Sequence, residues 1–203
     1  SDLQRANLRE MHRQWRASNA LPEALVQRQK MATSRCEHAW RTQRPANDWK
    51  GFVANFGAVL LAENKWSEAL PICRDVLDKC QRVFGDDHRQ TLLAKNNLGF
   101  LLYSMGKPDE AMPYCTAAMD GMRRVLGEED RDTLTSIDNM AGVLQAQGKL
   151  AEAEPYRREV VAKRRKTLGD EHRETLVAIS NLGFLLMAQG RFADAEPLER
   201  ETM

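Results

Sequence analysis

The chain has 203 residues, of which 42% are hydrophobic and 29% charged, and its net charge at pH 7 is +1. This composition is typical of a soluble, folded protein, and no apolar run approaches the roughly 18 residues that a membrane-spanning helix needs. The motifs of common enzymes, among them the P-loop, HExxH and the nucleophile elbow, are missing. We therefore expect no transmembrane segment, no cofactor, no metal site and no catalytic activity.

The N-terminal 50 residues are basic, with ten Lys and Arg against five Asp and Glu. Four arginines share one face of a predicted amphipathic helix, whose other face carries Leu8, Met11 and Trp15. These arginines are Arg5, Arg9, Arg13 and Arg16. One interpretation is a solvated face over a packed apolar stripe. The others are a basic surface for nucleic acid or another anionic partner, and binding to a membrane surface.

From residue 43 onward, many residues recur at intervals of 42. The recurring sets include Gly85, Gly127 and Gly169; Thr91, Thr133 and Thr175; and Gly106, Gly148 and Gly190. A fixed period of this size is typical of a solenoid in which each unit packs on its neighbours. It predicts a divergent unit at 43–84, full units at 85–126 and 127–168, and a shortened unit at 169–203. Residues 1–42 have the pattern of a degenerate helical repeat.

The unit at 85–126 shows what each repeat contains. Leucines and a methionine at helical spacing predict a first helix, helix A, that ends at Gly106. A second apolar stripe predicts a longer helix B, with Pro113 near its first turn, where a missing N–H costs little. Asp86, Asp87 and His88 precede helix A and offer capping side chains, and for His88 and His172 we expect a role in capping or in packing. Each repeat is thus helix A, a tight turn, helix B and a short charged loop.

These motifs resemble the tetratricopeptide repeat, in the 42-residue form found in kinesin light chains. The resemblance rests on Leu168-Gly169-Asp170-Glu171-His172-Arg173-Glu174-Thr175-Leu176 and on Gly148-Lys149-Leu150-Ala151-Glu152-Ala153-Glu154-Pro155. It implies an all-α, right-handed superhelix of antiparallel helix pairs, with a concave wall lined by the A helices. Two departures stand out: Arg89, Arg131 and Arg173 replace the proline that commonly follows the loop histidine, and Asp130 replaces that histidine in the middle repeat.

Carried over onto this chain, the groove positions of the family form four columns. They are Asn55, Asn97, Asn139 and Asn181; Ala54, Asn96, Asp138 and Ser180; Ala58, Phe100, Gly142 and Phe184; and Leu61, Tyr103, Gln145 and Met187. The unbroken asparagine column is either a row of ligand contacts, since a carboxamide both donates and accepts, or a structural bridge between adjacent A helices. Phe100, Tyr103 and Phe184 are either anchors for a partner or part of the core.

The predicted function is a protein-interaction scaffold that binds a peptide or partner subunit through the concave wall. An alternative is an accessory subunit of a large complex, held by its outer faces, because the last repeat is short and leaves Phe192 and Leu198 in need of a cover. A third is an adaptor that binds nucleic acid through the basic N-terminal region. The acidic C-terminus of a chaperone is disfavoured as a ligand, because the corresponding positions lack Lys and Arg.

The four cysteines, Cys36, Cys73, Cys80 and Cys115, form no CxxC pair. We interpret them as buried thiols of a protein in a reducing intracellular compartment, cytoplasmic or organellar.

Overall fold

The computed structural model describes residues 66–202, and every regular element within that range is an α-helix. The helices are α1 (Trp66–Phe84), α2 (Arg89–Ser104), α3 (Pro108–Leu126), α4 (Arg131–Ala146), α5 (Leu150–Leu168), α6 (Arg173–Ala188) and α7 (Phe192–Glu201). The A helices are α2, α4 and α6, each of 16 residues, and α3 and α5 are B helices of 19. The predicted order of a shorter helix A, a turn and a longer helix B is confirmed here.

Each A helix ends in the same glycine turn. Gly106, Gly148 and Gly190 have φ values of 75°, 78° and 80°, a left-handed conformation that favours glycine. The N–H of the residue after each glycine donates to a carbonyl five residues back, as from Lys107 to Leu102 at 3.0 Å. This is the Schellman arrangement, which satisfies carbonyls that the helix end leaves without partners. Three residues separate helix A from helix B in each of these pairs, so helix B packs antiparallel against helix A.

The start of each A helix is capped by the side chain that precedes it. The Nδ1 atoms of His88 and His172 each accept the backbone N–H two residues on, at 3.2 Å, and Asp130 does the same through Oδ1 at 2.8 Å. The predicted capping role of the loop histidines is confirmed. Asp130 therefore keeps the function of the histidine it replaces, because either side chain supplies an acceptor at the N-cap.

The prolines of the B helices lie deeper in the helix than expected. Helix α3 begins at Pro108, five residues before Pro113, because the glycine turn leads directly into a proline at the first helical position. The expectation that Pro113 sits near the first turn is wrong: it lies in the second turn and removes one main-chain hydrogen bond. Pro113 and Pro155 are both exposed, so water can reach the carbonyls that lose their partners.

Small residues set the packing distance between the helices of a pair. Ala69, Ala111, Ala153 and Ala195 occupy one B-helix position and are at most 1% exposed. At Gly99, a Cβ atom would lie 2.5 Å from the Sγ of Cys115, so α2 and α3 are in close contact there. Gly183 is different, since the nearest atom to its Cβ would be 3.9 Å away, on Leu198. The two helices of a pair therefore approach closely at Gly99 and less closely at Gly183.

The cysteines of the described range are buried free thiols. Burial raises the pKa of Cys73 to about 11 and that of Cys115 to about 12. Both thiols remain protonated near neutral pH and behave as small apolar groups. None of the helices between residues 66 and 202 is both long and apolar enough to cross a membrane.

Candidate partner-binding surface

The A helices form the inner wall of the described repeats. Short side chains bridge successive A helices: the Nδ2 of Asn139 donates to the Oδ1 of Asn96 at 3.0 Å, and the Nδ2 of Asn181 donates to the Oδ2 of Asp138 at 3.0 Å. Successive B helices are joined by long side chains instead, as in the pair of Arg123 and Glu159. We call the face of α2, α4 and α6 that carries these bridges the inner wall, because the tetratricopeptide resemblance implies that the A helices line the concave side.

The asparagine column has a structural role in the described repeats. Asn139 and Asn181 each use an amide N–H to hold the preceding A helix, and Asn97 also has an interaction partner. Asn139 and Asn181 are half-buried, and their carbonyl oxygens accept no hydrogen bond from residues 66–202. A carboxamide has two N–H groups and one carbonyl oxygen. Each side chain therefore keeps polar capacity toward the wall after bridging. Asn55, the first of the column, lies outside the described residues.

Asp138, in the column next to the asparagines, takes part in a nearly buried ion pair that the sequence did not indicate. Arg157, on α5, donates through Nη1 to the Oδ1 of Asp138. The side chains of Arg157 and Asp138 are only 8% and 16% exposed. Arg157 occupies a position where earlier B helices carry Cys73 and Cys115, and this break in the repeat was the available signal. Asn96, one repeat earlier than Asp138, is buried and accepts the asparagine bridge without any charge.

The predicted aromatic residues lie on the inner wall with their rings partly exposed. Phe100, Tyr103 and Phe184 are half-buried, whereas Leu98 and Leu102 of the same wall are fully buried. The rings of Phe100 and Tyr103 are 6.1 Å apart between centroids and tilted by 49°. The three rings therefore support the core with one side and present apolar area with the other. Their position fits both of the interpretations that the sequence left open.

The environment of Tyr103 keeps its hydroxyl protonated. Burial raises the pKa of Tyr103 above its ordinary value. The positive charge of Arg157 lowers the pKa and the negative charge of Asp138 raises it again, and the net direction is upward. The hydroxyl of Tyr103 is thus a hydrogen-bond donor as well as an acceptor at neutral pH.

The arginines that replace proline in the loops tie each repeat to the next. The Nε of Arg89 donates to the Oδ2 of Asp132 at 3.0 Å, and Arg131 forms the equivalent ion pair with Glu174 one repeat later. These side chains lie near the solvent, so each pair stabilises the stack by roughly 0–1 kcal/mol. The departure from the family pattern is therefore structural. No cluster of three or more metal-ligating side chains is present between residues 66 and 202.

The basic N-terminal face of Arg5, Arg9, Arg13 and Arg16 lies outside the described residues, so its interpretations stay open.

The described helices define the class: an all-α solenoid of helix pairs whose A helices present one continuous wall. The chain belongs to the tetratricopeptide repeat family, whose sequence profile matches residues 52–124 and 132–203. Such repeats bind proteins, so the chain is a protein-interaction scaffold, and the fold is generally non-catalytic. A comparison with curated protein sequences finds no match.

Solved structures of proteins with kinesin light chain-like repeats share this fold. A single-substitution variant of a Podosopora anserina protein, named as a kinesin light chain with nearly identical TPR-like repeats, has a TM-score of 0.68 at 20% identity, over 95% of this chain and 90% of that one. The same protein without the substitution gives 0.65 at equal identity and coverage. BtubC from P. vanneervenii gives 0.67 at 18% identity, over 97% of this chain and 75% of its own. At these identities the similarity shows the fold alone.

Proposed function

We propose that the chain is a non-catalytic scaffold that holds an extended peptide segment of a partner protein along the inner wall. The observation that carries this proposal is the arrangement of half-buried rings and half-buried amides on one wall. Phe100, Tyr103 and Phe184 offer apolar area, and partly buried aromatic side chains are frequent anchors in protein interfaces. Asn139 and Asn181 have a carbonyl oxygen and one N–H left after bridging, and these groups suit a peptide main chain.

The partner's chemistry follows from the charge of the inner wall. Asp138 and Arg157 neutralise each other, and the column positions beside them carry uncharged side chains. A neutral wall favours contacts with the peptide main chain and with apolar side chains over capture of an acidic C-terminus. We place such a protein in a reducing compartment, because Cys73, Cys80 and Cys115 are free thiols.

Photo-crosslinking tests the proposal. The full chain carries p-benzoylphenylalanine in place of Phe100 or Phe184, and in a matched control in place of Val125, which is 46% exposed at the end of α3. Irradiation in the native host is followed by mass spectrometry of the crosslinked peptides. We expect positions 100 and 184 to crosslink to one segment of the same partner and position 125 to leave that segment unlabelled. Crosslinks from position 125 alone would contradict binding at the inner wall.

A second candidate function, an accessory subunit held by its outer faces, is favoured by one observation. Val83, Val125 and Leu168 are 65%, 46% and 41% exposed, and all three lie in the last turns of successive B helices. Apolar side chains that repeat along one edge of a solenoid can form a contact surface. The Val125 crosslinking variant separates the two functions. If the chain is an accessory subunit, crosslinks from position 125 would identify the subunit that covers this edge. The nucleic-acid alternative stays a prediction for the N-terminal arginines.

A further inference from the structure

In the repeat at residues 127–168, several positions differ from the residues that other repeats carry there, and the structure brings these positions together. Gly142 stands where the repeats on either side carry Phe100 and Phe184. Arg157 replaces the cysteine of earlier B helices, and Asp138 is the charged member of its column. Tyr103, from the preceding repeat, reaches across to Gly142. Departures scattered along the sequence thus meet at one place on the inner wall.

Gly142 makes room for a tyrosine and an arginine to meet over α4. A Cβ atom on Gly142 would lie 3.4 Å from the Cζ of Tyr103, and 3.5 Å from both the Oη of Tyr103 and the Nη2 of Arg157. These contacts explain why Gly142 is buried although it lies on the wall. Where the adjacent repeats present a phenyl ring, this repeat presents a hydroxyl and the edge of a guanidinium. We call Tyr103, Gly142 and Arg157 the Gly142 site.

The hydrogen-bonding capacity of the Gly142 site is only partly used. The Nη1 of Arg157 donates a hydrogen bond to Asp138, and the other carboxylate oxygen of Asp138 accepts one from Asn181. Neither the Nη2 of Arg157 nor the Oη of Tyr103 has a hydrogen-bond partner in the described part of the chain, and neither is among its fully buried polar atoms. Both groups can donate. The site therefore offers two donors over the same glycine, each 3.5 Å from the position that a Cβ on Gly142 would take.

We propose that the Gly142 site binds an amide carbonyl oxygen of the partner peptide, between apolar side chains that pack on Phe100 and Phe184. A carbonyl oxygen has two lone pairs and accepts from both donors. A carboxylate fits less well, because Asp138 already cancels the charge of Arg157 and a carboxylate costs more to remove from water than an amide. This inference rests on the proposed function and specifies which inner-wall residues determine the peptide's register.

The test begins with dodecapeptides selected from a displayed random library on the full chain. Fluorescence polarisation then measures their affinity for the wild type, for Tyr103→Phe, and for the matched control Tyr156→Phe on α5. The Tyr103→Phe change removes only the hydroxyl. We expect it to weaken binding about fivefold, as for loss of one hydrogen bond, while Tyr156→Phe stays within about twofold of the wild type. The melting temperatures of both variants should equal that of the wild type.

A double variant gives a second measurement. Asp138→Asn with Arg157→Cys reproduces the Asn96 and Cys115 of the preceding repeat, so the ion pair is removed as a unit. The double variant should bind the same peptides about tenfold more weakly, since the guanidinium donor is lost. An alanine scan of each peptide identifies the carbonyl. If alanine at one Asn or Gln of the peptide lowers the affinity, the bound carbonyl belongs to that side chain. If no Asn or Gln substitution changes the affinity, the bound carbonyl belongs to the peptide main chain.

The outcomes separate this inference from the proposed function. Peptides that lose affinity with Phe100→Ala and Phe184→Ala but bind equally well to Tyr103→Phe and to the double variant would overturn the Gly142 site and leave inner-wall binding intact. Peptides that require Asp or Glu opposite the site would overturn the choice of a neutral carbonyl. Selection of no peptide that depends on the inner wall would overturn both proposals.

Discussion

Replacing Gly99 and Gly183 by alanine should have opposite effects on stability. Both glycines lie in the interior of an A helix at the same repeat position, and in both helices alanine is favoured over glycine by about 1 kcal/mol. At Gly183 the new methyl group meets nothing closer than 3.9 Å. Gly183→Ala should therefore raise the free energy of unfolding by up to about 1 kcal/mol.

At Gly99 the same methyl group has no room. Its Cβ would lie 2.5 Å from the Sγ of Cys115 and 3.2 Å from the backbone nitrogen of Cys115, so helix α3 itself must move. Overpacking of this kind costs about 1–3 kcal/mol, which exceeds the gain in helix propensity. We expect Gly99→Ala to lower the free energy of unfolding by about 1 kcal/mol, the middle of the overpacking range less the gain in propensity. The two variants should then differ by about 2 kcal/mol.

Urea unfolding followed by far-UV circular dichroism measures both changes on the full chain. The double variant Gly99→Ala with Cys115→Ala removes the sulfur but not the backbone contact, so the two substitutions should be coupled and the recovery partial. If Gly99→Ala proves as stable as the wild type, or Gly183→Ala is equally damaging, the close approach of α2 and α3 does not decide the use of glycine here.

Other parts of the repeat give further predictions. Thr133→Val should stabilise the chain by about 1 kcal/mol, because the buried Thr133 hydroxyl has no hydrogen-bond partner among residues 66–202, and thermal unfolding would measure this. Asp130→Ala should cost about 1 kcal/mol through loss of the cap of α4, whereas Asp130→His should retain most of it. Lowering the pH from 4.5 toward 2 should remove the stability contributed by Glu154. Desolvation would raise the pKa of that carboxyl, but hydrogen bonds from Arg158, Arg191 and Gln189 outweigh it and lower the pKa to about 2.

Each of these predictions has its own control. Thr133→Ala leaves a cavity and should destabilise the chain where Thr133→Val does not. Equal losses from Asp130→His and Asp130→Ala would show that a histidine cannot replace the cap. Glu154 binds fewer protons when folded than when unfolded, so its contribution is complete above pH 4.5 and disappears on acidification. Glu154→Gln should flatten the acid limb of the stability curve, and an unchanged limb would contradict the assignment.

The repeat period made the helix pairs, the glycine turns and the capping side chains predictable, since each depends on local residues that recur. Contacts between repeats were harder to predict. Asn139 bonds to Asn96 and not to Asn97, which is in its own column. The choice depends on the rotation of one repeat relative to the next, and a sequence period does not contain that angle.

The Gly142 site was missed for a related reason. Tyr103 and Arg157 are far apart in the sequence: Tyr103 lies in a column that has no common residue, and Arg157 lies on a B helix, outside the four columns. The sequence alone does not show that these two residues are neighbours in space, and their shared role depends on that. The sequence held two local signs of the site: Gly142 interrupts the column of Phe100 and Phe184, and Arg157 replaces the cysteine of earlier B helices.

The asparagine bridges also bear on how such an array can grow. Helix α4 carries the donor for the preceding helix, Asn139, directly beside the acceptor for the following one, Asp138. A repeat copied in tandem therefore arrives with both halves of the connection, and no compensating substitution is needed in its neighbours. The length of the scaffold can change by whole repeats while every A helix of this kind still finds its partner.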